Sequence, residues 1–414
     1  MELRKGYKQT EVGVIPDNWA IFRLGDFTIL KNGYAFSSSY FSKNGVIIIT
    51  PGNFKLDGGL NFTERNTLRY KGEYTKEMSF QNGDLLMVMT DLTPDCNLLG
   101  KSGIVNSNEI ILHNQRIGKI ITNNNEVNKT YLLYYFNSSI YSNRMKSTAT
   151  GSTVRHTSVP TIVNTILALP PFNEQTNIAS ALSDMDELIA QTDKLIKKKK
   201  VIKQGVMQEL LKPKIGWETK KLGTIASFHK GKGLPKSHLN EYGKYKCVHY
   251  GELFTKYKER ITNILSYTDV NINHFYSVSN DVLMPTSDVT PNGLATASCI
   301  KEDGVILGGD VLVIRVQPSI LDGIFLSYFI TQNREQIMKL VSGSTVYHLY
   351  GSNMKNFEVS FPNIVDQINS TAIISDLDLE IELLEEKNNK LSKQKQGMMQ
   401  SLLTGKIRIY NHEQ

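Results

Sequence analysis

Residues 173–211, NEQTNIASALSDMDELIAQTDKLIKKKKVIKQGVMQELL, place apolar side chains at Ile178, Leu182, Met185, Ile189, Ile196, Val206 and Leu210. Steps of three and four residues are the spacing of a coiled-coil seam. A second stretch repeats the frame with Ile374, Leu377, Ile381, Leu384, Leu391, Met398 and Leu402. Thr192, Lys199 and Lys203 interrupt the first seam, and Asn388 and Lys395 the second; single polar residues in a seam fix register at a cost in stability. Pro170-Pro171 and Pro362 stand before the two stretches, and Pro213 and Gly405 beyond them, as helix start and stop signals require. Each predicted helix is ~38 residues, roughly 57 Å at 1.5 Å per residue. Neither buries its stripe alone, and the same chain carries the partner.

The flanking sequence is duplicated as well. Ile15-Pro16-Asp17-Asn18-Trp19 answers Ile215-Gly216-Trp217, an offset of 198 between the tryptophans. Thr90-Asp91-Leu92-Thr93-Pro94 answers Ser287-Asp288-Val289-Thr290-Pro291 at 197. Gly151-Ser152-Thr153-Val154-Arg155-His156 answers Gly343-Ser344-Thr345-Val346-Tyr347-His348 at 192, and Lys203-Gln204-Gly205 answers Lys395-Gln396-Gly397 at the same 192. Insertions are tolerated in surface loops, whereas one inside a packed helix rotates its apolar face away. Each copy is therefore a variable globular part followed by a part of fixed length. The expected fold is α/β (α+β): two similar mixed α/β domains, 1–168 and 214–360, separated by two long antiparallel coiled-coil helices, 169–213 and 361–414, in a pseudo-twofold internal duplication. The runs 85–89, 281–285, 46–49 and 311–314 are strand candidates, and 131–137 and 325–330 helical ones.

Composition narrows the class. The chain has 414 residues, 40% hydrophobic and 21% charged, which fits packed cores. Lys plus Arg exceeds Asp plus Glu by 47 − 40 = +7, with a pI near 9.0; that surplus permits a polyanionic partner without proving one. Cys96, Cys247 and Cys299 are far apart and form no paired motif, so a disulfide framework or cysteine-bound metal is not expected. The N-terminal residues contain no apolar signal segment, and no apolar run approaches the ~20 residues of a membrane span. The cytoplasm is the expected compartment.

Catalytic motifs are largely missing. Gly231-Lys232-Gly233 lacks the third glycine of a dinucleotide loop, no phosphate-loop motif is present, and the histidines form no metal-spaced pair. Leu169-Pro170-Pro171-Phe172 resembles the Pro-Pro-aromatic tetrapeptide of DNA amino-methyltransferases, but leucine cannot accept the hydrogen bond that Asn or Asp accepts there. A proline stop before a long helix is the favoured reading of this segment. A self-sufficient DNA methyltransferase and a coiled-coil interaction protein without a DNA role are the alternatives in other classes.

Binding features remain. In both copies a polar loop follows a strand: Thr90, Asp91 and Thr93, then Ser287, Asp288 and Thr290. A carboxylate there could accept from cytosine N4 and hydroxyls could reach bases or phosphates, or the aspartates simply close turns. Ser152, Thr153, Arg155 and His156, repeated as Ser344, Thr345, Tyr347 and His348, offer hydroxyls and backbone N–H groups to a phosphate, or form a helix cap. Lys31 and Tyr34, Lys230 and Lys232 lie in basic glycine-containing loops, and Lys101 and Arg116 complete the candidate DNA-binding set. The run 197–200 reads as a solvated face, although Lys199 also falls on the seam.

These segments resemble the specificity subunit of type I restriction–modification enzymes. The opening Gly6-Tyr7-Lys8-Gln9-Thr10 to Trp19, the segment Pro170-Pro171-Phe172-Asn173-Glu174-Gln175, and the C-terminal stretch from Lys395 to Ile407 carry the resemblance, which covers the whole chain. The second copy departs at Phe361-Pro362-Asn363-Ile364-Val365-Asp366-Gln367, with one proline and Asp in place of Glu. The resemblance implies a non-catalytic subunit in which the two globular parts are target recognition domains, each reading a short half-site of double-stranded DNA. It implies that the helices pack as a spacer, and that two modification (methyltransferase) subunits and the restriction (endonuclease/translocase) subunits assemble on it. S-adenosylmethionine, ATP and Mg would then belong to those partners, with no cofactor or metal in this chain.

Overall fold

A computed structural model describes residues 4–93, 95–123, 126–152, 154–271 and 273–409. The chain divides into two compact units, Met1–Thr192 with Lys387–Gln414, and Asp193–Glu386. The long helices run Phe172–Leu210 and Ile364–Leu402, 39 residues each. Every residue of the two apolar seams is buried or half-buried.

In the first unit, a four-stranded antiparallel sheet has the order Ser102–Ile104, Leu85–Val88, Ile117–Thr122, Thr28–Asn32. Leu85, Leu86, Met87 and Val88 are all fully buried because both faces of that strand are covered, so the run is continuous rather than alternating. A second four-stranded sheet, Ile111–Leu112, Val46–Ile48, Leu68–Tyr70, Phe41–Ser42, packs beside it. Ala20–Arg23 pairs with Ile166–Leu169, tying the start of the globular part to its end. The helix Lys129–Asn137, capped by the Asn128 side chain, buries Tyr131, Leu132, Tyr135 and Phe136 against the first sheet and the long helix.

The second unit repeats the plan. Its larger sheet is Ala226–Lys230, Val311–Val316, Asp281–Pro285, Ser298–Ile300, Arg260–Ile261, and its smaller one Ser266–Thr268, Tyr245–Val248, Ile306–Leu307, Phe275–Tyr276. Glu218–Lys221 pairs with Glu358–Phe361 as the closing ladder, and the helix Gly323–Gln332 is capped by Asp322.

The polar interruptions of the seams have partners. Within the second unit, Lys203 donates to Asp378 at 2.7 Å, and the Tyr328 hydroxyl donates to the same carboxylate at 2.7 Å. Within the first, Lys395 donates to Asp186 at 2.6 Å, and Tyr134 donates to it at 2.8 Å. Each ammonium also lies over its tyrosine ring, 5.4 Å and 5.3 Å from the centroids. Burial raises the pKa of both phenols, so they remain hydrogen-bond donors. In the second unit Lys199 reaches Glu380 and Lys203 reaches Asp378. Numbers rise along one helix as they fall along the other, so the segments run antiparallel there.

A glutamine pins each helix start. Gln175 donates to the carbonyls of Pro170 and Glu126 and accepts from Asn128 N. Gln367 does the same with Pro362, Ile320 and Asp322 N. The departing Asp366 is exposed and bonds Asn363. Its counterpart Glu174, buried, takes Arg408 through both oxygens at 2.5 and 2.7 Å and Trp19 Nε1 at 3.1 Å. Leu169 is buried in a strand beside this joint, so the Pro-Pro-aromatic segment is a strand-to-helix connection.

Candidate nucleic-acid interface

The two motifs singled out in each copy are brought together. Arg155–His156 pairs antiparallel with Thr90–Asp91, placing Arg155 opposite Asp91 and His156 opposite Thr90. Tyr347–His348 pairs with Ser287–Asp288 in the same register, Tyr347 opposite Asp288 and His348 opposite Ser287. Behind each ladder, Thr157 N donates to Met89 O and Leu349 N to Thr286 O, both at 3.0 Å.

The Gly-Ser-Thr-Val segment is not the helix cap that its hydroxyls suggested. It is the turn of a hairpin: Thr150 and His156 exchange backbone bonds at 3.0 and 2.9 Å, and Ser342 and His348 at 3.0 and 2.7 Å. Gly151 and Gly343 have φ of +96° and +114°, and a Cβ on either would strike the carbonyl of Val154 or Val346. Ser152, Ser344 and Thr345 are exposed on the turns, while Thr153 and Pro94 lie outside the described residues.

Asp91 is fully buried, and its carboxylate accepts from Thr93 N at 2.7 Å, Leu98 N at 2.6 Å and Leu99 N at 3.0 Å. A buried carboxylate that satisfies three backbone donors shapes its loop, as the turn reading expects. Thr90 is buried as well, its hydroxyl 3.1 Å from His156 Nδ1. Lys101 is also buried, donates to Asn137 O at 3.3 Å, and burial lowers its pKa. Asp288 differs from Asp91. It is half-buried, accepting from Val289 N at 2.7 Å and the Thr290 hydroxyl at 2.8 Å.

The remaining candidates line the surface around each ladder. Lys31 is exposed on its strand opposite Lys119. Tyr34, 37% exposed, is held by its backbone N–H on His113 O and by an edge contact with the His113 ring. Burial holds His113 down to about 4, so the ring is a neutral support. Arg116 is exposed, and its carbonyl accepts from Met89 N beside the ladder. Thr93 caps its own loop by accepting from Asn97 N. In the second unit Lys230 meets Asp310 at 3.2 Å, Lys232 donates to Asn273, and His348 stacks on Tyr350 with ring centroids 5.8 Å apart. Gly33 and Gly231 let the basic loops touch the carbonyls of Asn114 and Gly308, which a Cβ at either position would strike. Tyr350, Leu92, Val289 and Val346 are exposed on the same surface. The last three lie inside or beside the motifs, where an apolar residue carries no polar signal of binding.

Residues 16–202 and 214–393 each match the family profile described as the type I restriction modification DNA specificity domain. The chain belongs to this DNA specificity family. The MjaVIII specificity subunit of a type I restriction enzyme from Methanocaldococcus jannaschii is 23% identical over 431 residues, spanning 96% of this chain and 95% of the relative. The fold is shared with the crystal structure of a type I restriction–modification S subunit from M. genitalium, at a TM-score of 0.60 and 14% identity over 97% of this chain and 98% of that one. A chain solved in work on complex assembly and conformational transition of the type I R-M system gives a TM-score of 0.57 and 13% identity over 95% and 99%. Among the described residues no cluster of three metal-ligating side chains occurs, and no helix is long and apolar enough to cross a membrane.

Proposed function

We propose that this specificity subunit reads a bipartite duplex DNA target, one half-site per globular part, and carries its catalytic partners on the long helices. The supporting observation is that both copies join the same two motifs into an exposed hairpin laid on a polar loop. In the first copy the reading surface comprises Lys31, Tyr34, Thr93, Arg116, Ser152, Arg155 and His156. In the second it comprises Lys230, Lys232, Ser287, Asp288, Thr290, Ser344, Thr345, Tyr347 and His348. Cations and backbone N–H groups position a phosphate backbone, while hydroxyls, imidazoles and the Asp288 carboxylate suit base edges.

The second long helix exposes Val365, Ile368, Leu379 and Leu383 on one face, each more than half accessible. Such a stripe is suited to packing against helices of the modification subunits, of which two would bind, with the restriction subunits joining them. Methyl transfer and cleavage then belong to those partners, which supply the S-adenosylmethionine, ATP and Mg sites. The test is to incubate the purified chain with DNA and labelled methyl donor, alone and with its cognate modification subunit, and to map the methylated motif. Methylation of a split motif only in the mixture is expected. Robust methyl transfer by the chain alone, or a motif without two separate halves, overturns the reading.

A further inference from the structure

Aliphatic residues flank the end of the ladder in each unit. Leu92 and Val154 adjoin the last ladder residues Asp91 and Arg155, and Val289 and Val346 adjoin Asp288 and Tyr347. Leu92 is 58% exposed, Val289 73% and Val346 43%, with Val154 half-buried. The backbone beneath them is fixed: the Asp91 carboxylate binds the N–H groups of Thr93, Leu98 and Leu99, and Asp288 binds that of Val289 itself. An isolated exposed leucine needs no explanation. Aliphatic residues flanking the same ladder end in both copies, on a clamped loop within the proposed reading surface, are a different matter.

We propose that Leu92 with Val154, and Val289 with Val346, are specificity-determining contacts to thymine methyl groups in the major groove. The inference rests on the DNA reading above and adds the chemical group each pair reads. A narrow two-stranded ribbon fits the major groove, where the thymine C5 methyl is the apolar feature that distinguishes one base pair from another; the minor groove offers acceptors and one amine. The neighbouring Ser152 and His156, and Ser344 and His348, are polar and suit the hydrogen-bonding positions of base edges, which leaves the methyl group to the aliphatic residues. Clamping the loop beforehand means that little ordering is left for binding.

The test uses the assembly with its partner subunits and synthetic duplexes of its mapped motif, in which deoxyuridine replaces each thymidine in turn, removing the methyl group alone. The wild-type assembly is expected to bind about fourfold more weakly when a contacted methyl is removed, from the burial of one carbon. Leu92→Ser should abolish that discrimination in one half-site and Val289→Ser in the other. Leu92→Met should keep it, and because these side chains are exposed, melting should stay unchanged. Indifference of the wild-type assembly to deoxyuridine throughout both half-sites, or serine variants that discriminate as the wild type does, overturns the inference. Either result leaves the specificity reading intact, since that reading fails only if no split motif is methylated. The deoxyuridine scan of the wild type decides the matter even if a variant folds poorly.

Discussion

Replacing Asp91 with Ala separates a loop anchor from a base reader. The native carboxylate takes three backbone N–H groups in a fully buried site. Truncation leaves those donors facing a small void. A buried unsatisfied donor costs ~1–3 kcal/mol, and water entering the vacated space recovers part of it, so about 3–5 kcal/mol in total is expected. In a domain of about 150–250 residues each kcal/mol moves the melting temperature by roughly 2–4 °C, giving a fall of roughly 6–20 °C. Differential scanning calorimetry of the purified chain reads that shift, and motif mapping of the assembly reads the consequence. One half-site should lose recognition as a whole because its loop is no longer shaped, while the other is untouched. Asp288→Ala, at a half-exposed side chain with two local bonds, should cost only about 1 kcal/mol. An Asp91→Ala chain that melts like the wild type yet relaxes one base pair refutes the anchor assignment.

Other expectations follow from buried contacts. Arg408→Ala leaves the Glu174 carboxylate buried with Trp19 as its remaining donor among the bonds described; a loss of about 3 kcal/mol in the first unit is expected by chemical denaturation. Tyr328→Phe removes a bond to the largely buried Asp378 and should cost about 1.5–3 kcal/mol, while Tyr134→Phe removes one to the half-exposed Asp186 and should cost about 1 kcal/mol, with the two effects additive. His113, held at about 4 against an ordinary 6.5, binds fewer protons folded than unfolded through that window. The first unit should therefore be fully stabilised above pH 6.5 and lose up to about 3 kcal/mol as pH falls toward 4. His113→Phe should flatten that part of the pH profile.

The helices were legible because their periodicity is local and their length is shared. The observed Phe172–Leu210 and Ile364–Leu402 follow from the seam and the prolines. The lysines in the seam were visible as interruptions, but their meaning was not. Asp186, Asp378, Tyr134 and Tyr328 meet them only after distant segments pack. Sheet order was illegible for a similar reason: Thr28–Asn32 pairs with Ile117–Thr122 across the chain that carries the whole second sheet, and two- to six-residue strands do not encode such choices. The Asp motifs show the sharpest divergence. Thr-Asp-Leu-Thr and Ser-Asp-Val-Thr look alike, yet the first aspartate is sealed by Leu98 and Leu99 while the second faces a short turn, Pro291–Ala295. Residues after the motif, not within it, decide burial.

Those contrasts divide the molecule into a frame and its reading tips. Lys203 and Lys395, Asp378 and Asp186, Gln367 and Gln175 stand 192 residues apart in pairs and make the same bonds in both units. The Lys–Asp pairs join one long helix to the other, and the glutamines tie each helix start to the globular part beside it. The offset drifts only upstream of Gly151, through the loops and strands that carry Lys31, Asp91, Lys230 and Asp288. Substitutions at the tips, at Leu92, Val289, Ser152 or Ser344, touch no frame contact. On the function proposed above, such substitutions are expected to change one half of the target at a time and to leave the helix packing as it is. A frame substitution such as Lys395→Met is expected to behave in the opposite way. It should lower stability and total methylation without altering the motif, because every side chain of the proposed reading surface keeps its own local support. A Lys395→Met assembly that methylates a changed motif at undiminished stability would show that frame and tips are not separable in this way.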